Sequence, residues 1–170
     1  MSESAPAPDG LALVEALVNT LDLESGADAL DTAEGRAPFG IAEAELAEVR
    51  ELRESLRAVC LAHAGHPPHR AVTPLGELLA RAPLYVAVDE RDGSASLAPA
   101  DEGPLLSRVA AAVAHALTAG TWLRLKACEL PECHWAYYDR SPAGRRRWCS
   151  MSVCGARVKM RRYRAKPERT

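Results

Sequence analysis

The sequence predicts an α+β fold: a mostly helical N-terminal domain with a small β-hairpin, followed by a small C-terminal four-cysteine zinc-binding module that ends in a basic helix. Three observations support this class. Apolar residues recur at helical spacing through most of residues 11–118. Asp92-Gly93 separates two short runs typical of β-strands. Four of the five cysteines and most of the positive charge lie after residue 123.

The first two helices are predicted from their apolar faces. The first begins at Asp9 as the N-cap and ends near Leu23, and residues 24–40, rich in Gly, Asp and Ala, are expected to form a long loop. The second covers residues 41–64. Its apolar stripe consists of Leu46, Val49, Leu52, Leu56, Val59, Cys60 and His63.

The rest of the helical domain is predicted to contain two more helices and one hairpin. Thr73-Pro74 is typical of a helix start, which predicts a short helix over residues 73–82. Residues 84–88 and 94–97 are predicted to pair as the two strands of the hairpin, and residues 104–118 to form the fourth helix.

The charge distribution divides the chain into two modules. Residues 1–123 carry a balance of −11 and residues 124–170 carry +9, although the net charge is −2. We therefore predict a disordered leader (1–8), a helical domain for sensing or oligomerisation (9–120), a zinc module (121–166) and a short tail (167–170). A basic module attached to an acidic domain is typical of nucleic-acid binding. No membrane span or signal peptide is recognisable, which predicts a cytoplasmic protein without a membrane partner.

The C-terminal cysteines have the spacing of a metal site. Cys128, Cys133, Cys149 and Cys154 follow the pattern C-x4-C-x15-C-x4-C, so two close pairs can supply four thiolates to one structural Zn²⁺. Four thiolates leave no open position for a catalytic water, and no other catalytic motif stands out, so we do not expect an enzyme. Two alternatives remain: His134 as a ligand, and a redox-labile site that releases zinc when its thiolates oxidise.

A basic helix is predicted to start at the metal, over residues 150–165. Its apolar stripe of Val153, Ala156, Met160 and Tyr163 is expected to pack on the zinc turn. The predicted contacts to nucleic-acid phosphates are Arg145, Arg146, Arg147, Arg157, Lys159, Arg161, Arg162 and Arg164. The alternative is a solvated charged face, but such a face normally mixes signs, and residues 145–166 contain no acidic residue. Four aromatic residues are candidates for base stacking, but we expect most of them to form the small core of the module: Trp135, Tyr137, Tyr138 and Trp148.

These residues together resemble the CGNR zinc-finger module. The resemblance rests on the four cysteines, on Trp148-Cys149-Ser150-Met151, on Cys154-Gly155-Ala156-Arg157 and on the arginines that follow. The preceding region resembles the ABATE domain more loosely, through residues 18–22 and 51–57. The resemblance implies a bacterial, stress-linked transcription regulator, with the finger on DNA and the N-terminal domain as a sensor. Ala156 stands where the signature has Asn, so a hydrogen bond made by that Asn is missing.

Two further groups of polar residues in the helical domain are candidates for a ligand pocket and a metal site. Asn19, Thr20, Arg53 and Arg57 are candidates for a pocket that binds a carboxylate or phosphate of a small-molecule ligand. The alternative is local bonding of the polar pair and ion pairs of the arginines with glutamates of their own helix. Cys60, His63, His66 and His69 recur every three residues, but the break at Pro67-Pro68 favours a buried thiol and helix-end histidines over a metal site.

The function that the sequence predicts best is a DNA-binding transcription regulator with a structural zinc finger. The runner-up is a zinc-stabilised adaptor for protein interaction, and RNA is an alternative nucleic-acid partner. A homodimer is compatible with the sequence, which does not choose between oligomeric states.

Overall fold

The computed structural model describes residues 7, 8 and 10–165. The predicted leader therefore lies mostly outside the described residues, as do Asp9, Lys166 and the tail. The helices are α1 (Leu11–Val18), α2 (Ala33–Arg36), α3 (Leu46–His63), α4 (Leu75–Leu79), α5 (Leu105–Thr118) and α6 (Ala156–Arg164). The strands are β1 (Leu84–Val88), β2 (Ala95–Pro99), β3 (Leu125–Ala127) and β4 (Ala136–Tyr138). This α+β architecture confirms the predicted class. None of the helices in the described part of the chain combines the length and the apolar character needed to cross a bilayer.

Helix α1 ends at Val18, and the prediction that it continues to Leu23 was wrong. The side chain of Asn19 pairs with the backbone of Ala136: its Oδ1 accepts from the Ala136 N–H at 2.7 Å and its Nδ2 donates to the Ala136 carbonyl at 2.9 Å. Leu21 then forms an isolated antiparallel bridge with Asp28. A contact with a residue 117 positions away thus overrides the local helical periodicity.

The predicted loop at residues 24–40 contains short helical segments instead. Asp28 caps a 3₁₀ turn at Ala29–Asp31 by accepting from the N–H of Leu30, and Thr32 caps α2 by accepting from the N–H of Gly35. These side-chain caps satisfy the backbone groups that a bare loop would leave to water. Helix α4 is shorter than the predicted 73–82, whereas α5 agrees with its prediction within one residue.

The hairpin of β1 and β2 confirms the prediction made from Asp92-Gly93. Its strands are antiparallel, with Val86 opposite Leu97. Gly93 has a φ of 72°, a left-handed conformation that glycine adopts without strain. The second strand begins at Ala95, one residue later than predicted, and the side chains of Val86 and Val88 are exposed.

One hydrophobic core extends through both predicted modules. Leu17 of α1, Leu56 of α3 and Val109 of α5 share this core with Leu125 of β3 and Ala136 of β4. A second, smaller cluster surrounds the metal site and consists of Cys128, Leu130, Tyr137, Cys149 and Cys154. The hairpin of β3 and β4 therefore belongs structurally to the helical domain as well as to the zinc module.

Candidate metal centre and nucleic-acid surface

The four cysteines predicted to bind zinc come together in the structure. Their Sγ atoms all lie within 4.8 Å of one another, with Cys133 and Cys149 separated by 3.7 Å and Cys149 and Cys154 by 3.6 Å. A tetrahedral Zn²⁺ with Zn–S bonds of about 2.3 Å requires S–S separations of about 3.8 Å. All five cysteines are free thiols rather than disulfides. The geometry and the donor set fit one structural zinc ion.

The first cysteine pair lies on the tight turn that joins β3 to β4. The N–H groups of Cys133 and His134 donate to the carbonyl of Leu130 at 2.9 and 3.2 Å, and the N–H of Cys128 donates to the carbonyl of Trp135 at 3.0 Å. His134 has a backbone φ of 43°, a left-handed conformation that residues other than glycine rarely adopt. Its Nδ1 lies 3.0 Å from the carbonyl oxygen of Cys128, so His134 bonds the turn itself and is not placed as a ligand.

Of the second pair, Cys149 precedes a single π-helical turn, Met151–Gly155, and Cys154 lies within this turn, which leads into α6. Ser150 begins this turn, and its hydroxyl accepts from the N–H of Val153 at 3.3 Å. A side chain at Gly155 would come within 3.4 Å of the Met151 Sδ and 3.5 Å of the Trp148 ring. A π-turn is wider than an α-turn, which lets Cys154 point to the other sulfurs while the backbone continues as α6.

The four thiol groups are electrostatically coupled. Hydrogen bonds from Cys133 and Cys149 lower the pKa of Cys128, and the same pairing with Cys128 raises the pKa of Cys149. Four thiolates at these separations repel one another strongly, because like charges at a few ångströms disfavour the charged form. A divalent cation at their centre removes this repulsion, as structural zinc sites require.

A buried carboxylate organises the loop between the two cysteine pairs. Asp139 is fully buried and accepts hydrogen bonds from the hydroxyl of Ser141 (2.6 Å), the Nζ of Lys126 (3.0 Å) and the N–H of Arg146 (2.9 Å). Burial alone would raise the pKa of Asp139, but these hydrogen bonds outweigh it and lower the pKa to about 2. Asp139 thus remains ionised and fixes residues 141–146 beside the metal.

The aromatic residues of the module form its core, as expected. Tyr137 is fully buried, Tyr138 is buried, and Trp135 and Trp148 pack half-buried against the cluster around the cysteines. The Tyr137 hydroxyl donates to the carbonyl of Arg146 at 2.6 Å. These contacts leave little surface of these four aromatic residues for base stacking.

The predicted nucleic-acid contacts fall into three groups. Arg145, Lys159, Arg162 and Arg164 are exposed, and none has an ion-pair partner among residues 7–8 and 10–165. Three exposed arginines have acidic partners: Arg147 pairs with Glu129 at 2.6 Å, Arg157 with Glu24 at 2.7 Å and Arg161 with Glu132 at 3.1 Å. Arg146 folds inward.

Arg146 was predicted to contact phosphate, but in this structure its guanidinium bonds within the module. Its guanidinium lies 5.1 Å from the centre of the Tyr137 ring, and its Nε donates to the carbonyl of Trp148 at 2.8 Å. A further donor of the same group reaches the carbonyl of Cys149. Arg146 therefore fixes the backbone that leads to Cys149, and its guanidinium points into the zinc module.

The apolar stripe of the last helix faces solvent, contrary to the prediction that it packs on the zinc turn. Val153 is 45% exposed, Met160 50% and Tyr163 74%. Cys154 and Gly155 are buried instead, and Val158 packs against the metal cluster. The helix touches the module only through its first turns, so α6 presents apolar side chains and cations together on its exposed surface.

The residues of the predicted ligand pocket, Asn19, Thr20, Arg53 and Arg57, bond to one another or to neighbouring groups of the protein. The Nη1 of Arg53 donates to the Asp28 carboxylate at 2.7 Å and to the Thr20 hydroxyl at 3.1 Å, and its Nε donates to Glu54 at 2.8 Å. Burial would raise the pKa of Asp28, but the hydrogen bond from Arg53 and further bonds lower it. Most of these polar groups are thus bonded within the protein, and ligand binding by them stays a prediction.

Arg57 and Asn19 join the helical domain to the zinc module. Arg57 is completely buried and donates to the Glu54 carboxylate (3.1 Å), to the carbonyl of Val18 (2.7 Å) and to the carbonyl of His134 (2.9 Å). Asn19 pairs with β4, as described above. These residues fix α1 and α3 against the turn that carries the first two cysteines.

The residues at the end of α3 form no metal cluster in the described residues, where only the four C-terminal cysteines do so. Cys60 is fully buried, and burial raises the pKa of its thiol to about 12, as expected for a packing residue. The Nδ1 of His63 donates to the Leu125 carbonyl at 2.8 Å, and its ring lies edge-on to Trp122. His66 lies 3.5 Å from Glu129 and His69 lies 3.3 Å from Glu54.

Sequence reasoning missed the acidic partners of the basic surface. Glu129 and Glu132 lie on the zinc turn, and Glu24 lies in the helical domain, 133 positions from Arg157. The absence of acidic residues within 145–166 concealed them, because ion pairs can form between residues distant in sequence. The module contains few acidic residues, so Glu129 and Glu132 were among the few possible partners there for its arginines. This was the only signal in the sequence for these two ion pairs.

Comparison with known families covers both parts of the chain. The model of the CGNR zinc finger matches residues 124–167. The ABATE model, described as "Putative stress-induced transcription regulator", matches residues 5–120, which is more than half of the chain. A comparison with curated proteins finds no match. The chain therefore belongs to the ABATE family, with a CGNR zinc finger following its ABATE domain.

Proposed function

We propose that this protein is a cytoplasmic, non-enzymatic transcription regulator that binds DNA through its zinc-anchored helix α6. The observation that carries the proposal is the group of exposed cations without an ion-pair partner in the described residues, of which Lys159, Arg162 and Arg164 lie on α6 and Arg145 on the preceding loop. Phosphate binding requires several cations on one rigid support. The zinc site supplies that support through Cys154, two residues before the start of α6.

The exposed apolar side chains of α6 add a second element of recognition. Val153 and Met160 lie beside Arg157, Arg161 and Arg164 around one shallow concavity. In a major groove, cations reach phosphates and guanine edges, while apolar groups contact thymine methyls. The combination favours a helix that enters a groove over one that only touches the backbone.

The salt dependence of DNA binding tests this function. Fluorescence anisotropy of the zinc-loaded full chain with duplex DNA is expected to give a slope of log K against log salt of about −3 to −4, the value for four phosphate contacts. Lys159→Gln and Arg162→Gln should each make the slope shallower by about 1. Arg70→Gln, which removes an exposed cation from the helical domain, is the control and should leave the slope unchanged.

A slope near zero, or no binding at low salt, would refute the proposal. Single-stranded RNA added as a competitor in the same assay distinguishes the two nucleic acids, since preference for RNA would replace DNA as the partner.

The second candidate is a zinc-stabilised adaptor that binds an acidic protein segment. The observation that favours it is the exposed row of Val153, Met160 and Tyr163 beside cations, which is also typical of a helix that docks in a protein groove. A labelled acidic peptide that binds more tightly than DNA at the same salt would select this function.

We assign the helical domain a role in ligand sensing or self-association. The support is architectural: the domain is acidic, so it does not itself attract DNA, and its buried residues connect directly to the zinc turn through Arg57. A change in the helical domain can therefore reach the DNA-binding module through packed groups.

A further inference from the structure

A half-open cleft of about 780 Å³ lies at the end of α3 that is distant from the zinc module. Its walls come from the first half of α3, from α4, from the first turn of α5 and from the chain that leaves the hairpin. Val49, Leu52, Leu78 and Leu105 contribute apolar surface. The volume falls within the range of about 300–1,000 Å³ that small-molecule sites occupy.

The charges around this cleft are predominantly negative. Glu45, Glu48, Glu51 and Asp101 line it, against a single cation, Arg81. Arg81 pairs with Glu48 at 3.2 Å and so neutralises one of the four carboxylates. An anion placed here would be repelled, whereas a cation with an apolar body would match both the walls and the charge.

One of the carboxylates is held ionised at the wall of the cleft. The N–H of Thr73 donates to the Oε1 of Glu51 at 2.8 Å. This hydrogen bond lowers the pKa of Glu51. The Ser55 hydroxyl donates to the carbonyl of Thr73 at 2.7 Å, which fixes the donor segment in turn. Glu51 is thus a pre-oriented acceptor.

A second, independent observation points to a ligand. Ser107, in the first turn of α5, lines the cleft and is only 8% exposed. Its hydroxyl has no hydrogen-bond partner among the residues that the structure describes. Ser107 lines the cleft, so its hydroxyl is available to hydrogen-bond a polar atom of a bound molecule.

We propose that the cleft binds an organic cation with an apolar body, its amine paired with Glu51 and its body on Leu52, Leu78 and Leu105. Ser107 supplies a hydrogen bond to a polar atom of the same molecule. This proposal rests on the sensing role proposed above and gives it a place and a ligand class; the cleft shares no residue with the pocket predicted at Asn19, Thr20, Arg53 and Arg57.

Three probes that differ mainly in charge test this proposal on the full zinc-loaded chain. Isothermal titration with naphthylethylamine, naphthylethanol and naphthylacetate is expected to rank the amine first by about tenfold or more, because only the amine forms a charge-assisted hydrogen bond with Glu51. The acetate should bind weakest. The titrations contain no DNA, so a failure of the DNA-binding proposal leaves their result unaffected.

Variants locate the binding. Glu51→Gln should abolish the preference for the amine over the alcohol, and Glu77→Gln, an exposed glutamate of α4 outside the cleft, should preserve it. Ala47→Trp, on the exposed surface of α3 at the cleft, should block all three probes. Asp101→Asn on the exposed rim provides a second charge variant if Glu51→Gln does not fold, and it should weaken amine binding.

Equal affinities for the three probes would overturn the proposal. The same holds if no probe binds, or if the amine binds Ala47→Trp as tightly as the unchanged chain.

Discussion

Buried charged side chains join the two parts of this molecule at the scale of single residues. Arg57 is fully buried and its donors are taken up by Glu54, Val18 and His134. A buried cation is costly unless it is paired and hydrogen-bonded. The sequence placed Arg57 on an amphipathic helix but gave no sign that it is buried, because its carbonyl partners lie 39 and 77 positions away.

Replacing this arginine should destabilise the whole chain. In Arg57→Met the stem is kept, but Glu54 loses one of its two arginine partners and the carbonyls of Val18 and His134 lose their donor, so the free energy of unfolding should fall by about 2–4 kcal/mol. Urea unfolding at neutral pH measures this. The control is Arg50→Met, on the same helix but with a partly exposed side chain, which should cost less than about 1 kcal/mol. If Arg57→Met lowers the free energy of unfolding no more than Arg50→Met does, the buried bonds of Arg57 do not stabilise the fold.

His63 should make folding stability depend on pH. Burial lowers the pKa of His63 from 6.5, although its hydrogen bond to Leu125 opposes this. The unfolded chain therefore takes up a proton at a higher pH than the folded chain does. Stability is complete above the unfolded pKa and decreases as the pH falls below it.

His63→Asn removes this titrating group and should flatten the decrease. Unfolding measured at pH values of about 7.5 and 5.5 is expected to show a smaller difference in the variant than in the unchanged chain. The comparison cancels the contribution of zinc release, which affects both proteins. Identical pH dependences would contradict the assignment.

At the scale of elements, the sequence predicted those that local patterning determines. The hairpin of β1 and β2 has its own turn signal, α5 has an uninterrupted apolar face, and the cysteine spacing alone located the metal ligands. The end of α1 and the direction of the α6 stripe depend on contacts with distant residues. Local periodicity carries no information about such contacts, so these predictions were wrong.

Helix α6 is also held by an ion pair with the helical domain. Arg157 reaches Glu24 at 2.7 Å, and both side chains are partly exposed, so the pair contributes little to stability. The pair nevertheless competes with phosphate for Arg157. Glu24→Gln should therefore strengthen DNA binding by about two- to fivefold and steepen the salt slope by about 1.

Anisotropy titrations against the same duplex measure this effect. Glu34→Gln changes the net charge equally at an exposed site of α2 and is the control. An equal gain in both variants would mean that net charge, and not the release of Arg157, determines affinity.

At the scale of the whole molecule, the two family regions share one core. Leu125 and Ala136 pack with residues of α1, α3 and α5. A zinc module that contributes strands to the main core cannot unfold without affecting the helices. The charge asymmetry in the sequence indicated two independent modules, and only the packing of β3 and β4 shows their mechanical connection.

Loss of zinc should therefore destabilise the helical domain. Cys154→Ser is expected to release the metal, to unfold α6 and to decrease hydrogen-exchange protection in α3, since the hairpin that covers α3 loses its support. Cys60→Ser, which changes a buried cysteine outside the metal site, should retain one zinc per chain. Unchanged protection of α3 in zinc-free Cys154→Ser would show that the modules are independent.

The central claim is that four thiolates around one zinc ion hold α6 in the form that binds DNA. The most direct test titrates zinc into the metal-stripped full chain while the anisotropy of a labelled duplex is recorded at low salt. DNA binding is expected to appear with added zinc and to saturate at one ion per chain. Equal DNA binding before and after the addition of zinc would contradict it.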